Sequence, residues 1–173
     1  MMTLKTQLMH TTKNMAANKK RNSITKRQKR AIAFALFLVY FAILFYFLFF
    51  SEKLGRTYSE RTYHYNLIPF LEIKRFIQYY KVLGLEAVLL NLCGNIGAFI
   101  PFGMFLPMFS NRCKKILYTV FYSFELSLFV ELIQLVAKVG SFDVDDVILN
   151  TLGGFIGCLI YLIGCKIMDK LKK

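Results

Sequence analysis

Eight residues beyond the chain's midpoint carry most of its capacity for chemistry: Asn91, Asn95, Glu131, Gln134, Asp143, Asp145, Asp146 and Asn150. Glu131 with the three aspartates could hold a divalent cation or serve as general acid and base. The amides among them could instead grip a polar headgroup, or tie one helix to the next. Their spacing suits helices: Asn91 and Asn95 are four apart, Ser127, Glu131 and Gln134 run i, i+4, i+7, and Asp146 and Asn150 are again four apart. Catalysis has little further support. There is no HExxH, no nucleophile beside a base, and neither His10 nor His64 is near the cluster. Cys93, Cys113, Cys158 and Cys165 form no CxxC pair and have no neighbouring His, so they read as apolar filler. No metal site and no cofactor are expected.

The elements that must position these residues follow from a compositional conflict. The chain has 173 residues, 56% of them hydrophobic, yet 23 Lys+Arg against 10 Asp+Glu give a net charge of +13. Such a chain must segregate its charge. A water-soluble domain of this size could not hide so much apolar side chain, and a disordered basic protein would not contain it. The composition is that of a small integral membrane protein with basic ends.

Residues 1–30 form a polar, basic tail with no hydrophobic period, expected to be disordered. It lacks interleaved aromatics and abuts a span, so nucleic acid is not the expected partner. Ala31–Phe50 is twenty uncharged residues, long enough to cross the hydrocarbon core and lacking a cleavage site after it, hence an uncleaved anchor. Three further spans are expected at about Leu85–Phe109, Ile116–Val136 and Val147–Met168. Together they make a transmembrane domain over 31–168, followed by a basic end at 169–173. Between the first two spans, Pro69–Gly84 sets Phe70, Ile73, Ile77 and Tyr80 against Glu72, Lys74, Arg75 and Lys81 at helical spacing, the pattern of an amphipathic segment lying at the lipid–water interface, with a short solvent-exposed helix as the alternative.

Basic residues orient the bundle. Nine Lys+Arg lie in the tail, three in 110–115 and four after Ile163, against six spread over 51–84 and one in 137–146. The positive-inside rule places both termini in the cytoplasm. At a rise of about 1.5 Å per residue, Asn91, Asn95, Glu131, Gln134 and Asn150 then all fall within about 15 Å of the outer boundary, while Glu125 sits near the midplane, about 120° around the helix from Glu131. Polar groups in lipid should turn inward to meet partners, as an outward-facing ligand pocket or as an inter-helix network. Pro101 and Gly103 should bend or break the second span, and Gly153 with Gly157 in the fourth span, like Gly94 with Gly97 and Ala98 in the second, should let helix backbones approach.

These stretches carry a resemblance. Asn91-Leu-Cys-Gly-Asn95-Ile-Gly-Ala-Phe-Ile-Pro101-Phe-Gly103 resembles the first signature of VanZ-like membrane proteins. Glu131-Leu-Ile-Gln134 followed by Ser141-Phe-Asp143-Val-Asp145-Asp146-Val-Ile-Leu-Asn150-Thr-Leu-Gly153 resembles the second, and Asn66-Leu-Ile-Pro69-Phe70 a shorter motif that precedes both. The similarity covers about residues 35–165. Many relatives carry an Arg shortly before the Asp cluster where this chain has Lys138, which keeps the charge but not the bidentate geometry. The resemblance implies an accessory role like that of the family's namesake, associated with glycopeptide resistance and reduced susceptibility to teicoplanin. It implies no reaction; a phosphotransbutyrylase activity attached to some relatives does not suit a membrane chain without a nucleotide- or coenzyme-binding motif.

The expectation is thus an all-α integral membrane bundle of four transmembrane helices, N-in/C-in, in a bacterial plasma membrane. Its partners would be membrane lipid, a lipoglycopeptide or a peptidoglycan-precursor lipid. The alternatives are lipid handling or transport and, behind these, an intramembrane enzyme using the Glu/Asp cluster. Oligomeric state is not legible.

Overall fold

The computed structural model describes residues 27–28, 30–49, 65–138 and 140–171. The basic tail lies outside this set apart from Arg27, Gln28 and Arg30, as do Phe50, residues 51–64 and the last two lysines. Four helices are long and apolar enough to cross a membrane: α1 Arg30–Phe49, α4 Leu85–Phe109, α5 Ile116–Ala137 and α6 Val144–Leu171. Two short helices, α2 Leu71–Gln78 and α3 Tyr80–Leu83, lie between α1 and α4, and a 3-10 turn at Arg112–Lys114 joins α4 to α5.

Burial runs opposite to that of a soluble protein. Thr119, Ser123, Ser127, Glu131, Gln134, Asp145 and Asn150 are buried, while Leu85, Leu117, Phe121, Phe129, Ile160 and Ile163 are exposed. Polar groups inside and large apolar side chains outside is the arrangement that lipid, not water, stabilises. The all-α membrane class expected from composition therefore holds.

The chain divides into two compact units, Met1–Leu38 and Val39–Lys173. The described part of the first is the opening half of α1, uncharged from Ala31 onward. Within the second, α6 packs on both α4 and α5, which touch each other far less. The latter half of α1 adds Leu44, Leu48 and Phe49, which cluster with Val130 and are flanked by Tyr40, Ala98, Leu126 and Ile133.

Glycine sets the approach of α4 to α6. A methyl at Gly103 would lie 2.0 Å from the Gly154 carbonyl oxygen, one at Gly153 2.1 Å from that of Ile96, and one at Gly157 2.0 Å from that of Ile100. These are backbone atoms, so only hydrogen fits. Gly153 and Gly157 thus pack as their spacing implied.

Two expectations need correction. Of the bend or break expected at Pro101–Gly103, a break does not occur: α4 is one helix from Leu85 to Phe109 with Pro101 and Pro107 inside it. Proline removes one donor and crowds the preceding turn, but a membrane helix survives this when a neighbour supplies hydrogen bonds. Here the Tyr40 hydroxyl donates to the Ala98 carbonyl at 2.7 Å, in the turn before Pro101. Gly103 accommodates α6 and does not loosen α4. The last span also begins earlier than Val147, at Val144, so Asp145 and Asp146 occupy its first turn, where the helix dipole favours negative charge.

One element was not anticipated. Tyr65–Asn66 (β1) pairs in parallel with Phe142–Asp143 (β2), Tyr65 opposite Phe142 and Asn66 opposite Asp143. This two-residue ladder brings the connection before α2 against the start of α6.

Candidate functional site

Asp145 is the centre of the polar cluster. Its side chain is fully buried at the start of α6, but its partners belong to α2. The Asp145 carboxylate accepts the backbone N–H of Phe70 at 2.5 Å on Oδ1, and those of Glu72 at 2.9 Å and Ile73 at 3.1 Å on Oδ2. The first turn of any helix exposes N–H groups without internal partners. A residue at the N-cap usually satisfies them, but here that position is Phe70, whose side chain has no acceptor and whose φ of 64° is left-handed. The cap is therefore supplied by another element, and a carboxylate at this end also meets the positive pole of the helix dipole.

Asp143 and Glu131 brace that cap. The Asp145 N–H donates to Asp143 Oδ1 at 2.9 Å, and the Asn66 amide donates to the same oxygen at 3.2 Å. Asn66 Oδ1 in turn accepts the Ile68 N–H at 3.0 Å, turning the chain toward Pro69 and Phe70. From α5, Glu131 Oε2 accepts the Asp143 N–H at 3.2 Å. Residues 66, 131, 143 and 145 thus form one hydrogen-bonded unit joining three parts of the chain.

The remaining candidates make separate links. Asn95 on α4 donates to Asp146 Oδ1 on α6. Asn150 donates to Ser127 Oγ at 2.9 Å, and its own buried Oδ1 has no partner among the described residues. Gln134 donates to the Leu48 carbonyl of α1 at 2.7 Å. Asn91 shares a face with Asn95 but is only half-buried, and its side chain makes no hydrogen bond among the described residues. Pro101, Gly103, Gly153 and Gly157 belong to the α4–α6 contact, away from this chemistry.

The acidic groups are thus satisfied mainly by protein donors. Among the described residues, no three of the His, Cys, Asp and Glu side chains converge in an arrangement that could hold a metal ion. The electrostatics outside the spans match a closed cluster. Burial pushes the Asp143 carboxyl up from the ordinary aspartate value; the Asp145 N–H, the Asn66 amide and the Arg75 guanidinium oppose this, while the neighbouring Asp145 charge adds to it. Glu72 is also raised, first by burial and then by Asp143 and Asp145, against the lowering effect of Arg75. Arg75 contacts Glu72 Oε1 through Nη1 at 2.9 Å. The guanidinium that acts on Asp143 through its charge therefore comes from α2, where it is paired with Glu72, and not from the segment before Asp143.

Reading the sequence left Arg75 and Glu72 out of the cluster, gave Tyr40 no part in holding α4, and gave Asn66 a motif but no task. The signal for Asn66 was its place in the short motif. Nothing local marked the others.

The segment that this cluster holds, residues 67–83 and here termed the cap, exposes apolar and cationic side chains together. Leu67, Ile68, Phe70, Leu71, Ile77 and Val82 are exposed, beside Lys74, Arg75 and Lys81. Comparison with known proteins identifies relatives. A family model described as VanZ/LLP1 matches residues 37–165. Protein VanZ of Enterococcus faecium is similar, 37% identical over 84 residues that make up 47% of this chain and 50% of that protein. The chain spans about half the length of this curated relative. No solved structure matches.

Proposed function

Because the chain belongs to the VanZ/LLP1 family, we propose that it acts at the outer face of a bacterial plasma membrane, where it binds or shields an acylated envelope molecule and lowers susceptibility to teicoplanin. The observation that carries this reading is the clamped cap. Buried Asp145, braced by Asp143 and Glu131, fixes a short helix whose exposed apolar residues stand beside Lys74, Arg75 and Lys81. A rigid surface with apolar and cationic parts suits a molecule with an acyl chain and an anionic or polar head, such as a lipoglycopeptide or a peptidoglycan-precursor lipid.

The polar cluster enters this function by positioning the cap. Its carboxylates are engaged with backbone N–H groups and amides, which favours binding over acid–base catalysis. The orientation underlying the proposal puts both termini in the cytoplasm and the cap outside. Reporter fusions at Tyr63 and Lys138 should both read as extracytoplasmic; cytoplasmic signals at both would remove the cap from the face where a drug arrives.

The functional test compares two drugs. Cells overexpressing the chain should become less susceptible to teicoplanin, which carries an acyl chain, with a much smaller change for vancomycin, and deletion should reverse this. Equal shifts for both drugs, or none, would rule out recognition through the acyl chain.

A further inference from the structure

The α5 helix carries two charged residues, about 120° apart around its axis. Glu131 is buried in the cluster described above, whereas Glu125, close to the helix's midpoint, is exposed. The buried stripe of α5 includes Thr119, Ser123 and Ser127. Glu125 lies two residues from each of those serines, about 160° around the helix. Among the described residues it has no hydrogen bond or ion pair. Among the described residues it therefore stands alone on an exposed face of the span.

An unpartnered acidic side chain at mid-span is costly, about 2.5–3.5 kcal/mol for an Asp-like charge on insertion scales. Glutamate is too short to reach the interface from there, since either end of α5 is at least about 13 Å away. Its neighbours on the same face supply the second observation. Tyr118, Tyr122, Glu125, Phe129, Leu132 and Val136 recur at steps of four, three, four, three and four, and the five apolar members are exposed by 42, 42, 60, 46 and 77%. That is the average 3.5-residue repeat of a seam between two left-handed, wound helices, with one polar member in its centre.

We propose that α5 of one copy pairs with α5 of a second copy along this seam, the two Glu125 carboxyl groups hydrogen-bonding to each other. A two-fold axis along the membrane normal brings every residue to the depth of its own counterpart, so a mid-span carboxyl meets a mid-span carboxyl. In its neutral form that group donates one hydrogen bond and accepts another, which makes it complementary to itself. A polar residue at one seam position also fixes the register of the pair. Among the described residues, α6 occupies the opposite side of α5 and the latter half of α1 the flank carrying Leu126, Val130 and Ile133, so the seam residues stay exposed.

The test co-expresses two differently tagged full-length copies and measures recovery of one with the other from mild detergent, alongside the amount of each in the membrane. Wild type and Glu125→Gln, whose amide also donates and accepts, should pair. Glu125→Leu should lower recovery about tenfold, within the range measured for interhelical hydrogen bonds, without changing membrane abundance. Phe129→Ala on the seam should weaken pairing as well, and Leu152→Ala, exposed on α6, should not. Wild-type copies that fail to co-purify, or Glu125→Leu copies that pair as well as wild type, would overturn the proposal. So would loss of Glu125→Leu from the membrane, which would place the partner of Glu125 within its own chain.

Discussion

Asp145→Ala should release α2 from the helical bundle and open the cap to protease. The buried carboxylate satisfies three backbone N–H groups of one helix end, and none has another acceptor in the local sequence. Losing a charged cap and its hydrogen bonds should cost the local structure about 3 kcal/mol. Cleavage that follows local opening would then rise about a hundredfold. Trypsin reports this directly, because Lys74, Arg75 and Lys81 lie in the released segment. Asp145→Asn, which keeps an acceptor and loses the charge, should fall between Ala and wild type. Asp146→Ala removes the link from Asn95 on α4 and should leave tryptic cleavage of the cap near wild type. Equal protection of Asp145→Ala and wild type would mean that the cap is held by other contacts.

The second large effect concerns the α4–α6 contact. Gly103→Ala, Gly153→Ala and Gly157→Ala each drive a methyl to within about 2 Å of a backbone carbonyl oxygen on the facing helix. A carbonyl cannot rotate away as a flexible side chain can, so the helices must separate. Overpacking of this kind costs about 1–3 kcal/mol or more, and separation would also weaken the Asn95–Asp146 link. Each variant should therefore lose membrane abundance and thermal stability in detergent. Gly94→Ala and Gly97→Ala lie in the same helix as Gly103 but have nothing within 4 Å of the added methyl. They should be neutral, or slightly stabilising given alanine's better helix propensity. If Gly97→Ala and Gly157→Ala lower abundance alike, close backbone packing is not what selects glycine here.

The spans were legible because hydrophobicity over about 20 residues is a local, additive signal. Three of the four helices begin and end within a residue of the positions that hydropathy gives. The fourth starts three residues early because Asp145 and Asp146, which look like loop on a polarity scale, are favourable in a first helical turn. The polar residues were legible as a set, since charge and amide groups inside apolar stretches must find partners. Their pairing was not. The Asp145 contact with Phe70 joins positions 75 apart, and the Asn66 contact with Asp143 joins positions 77 apart. No periodicity encodes such a meeting. Proline misled for a related reason: the lost donor at position 101 is local, but the Tyr40 hydroxyl that donates nearby comes from another helix. Glycine spacing indicated close packing but could not distinguish Gly103, which has a carbonyl against it, from Gly97, which has open space.

The most direct test of Asp145 as a clamp, as opposed to a reacting group, replaces the clamp with a covalent tie. Tyr65 and Phe142 are partners in the β1–β2 ladder, and neighbouring strands lie about 4.8 Å apart, within the Cα separation that a disulfide spans. Teicoplanin susceptibility should be measured in cells expressing Asp145→Ala with and without the Tyr65→Cys and Phe142→Cys pair, after confirming that the bridge has formed. If Asp145 only holds the cap in place, Asp145→Ala loses protection and the bridge restores most of it. If bridged Asp145→Ala is abundant in the membrane yet still gives no protection, the carboxylate itself takes part in the chemistry and the clamp is not its function.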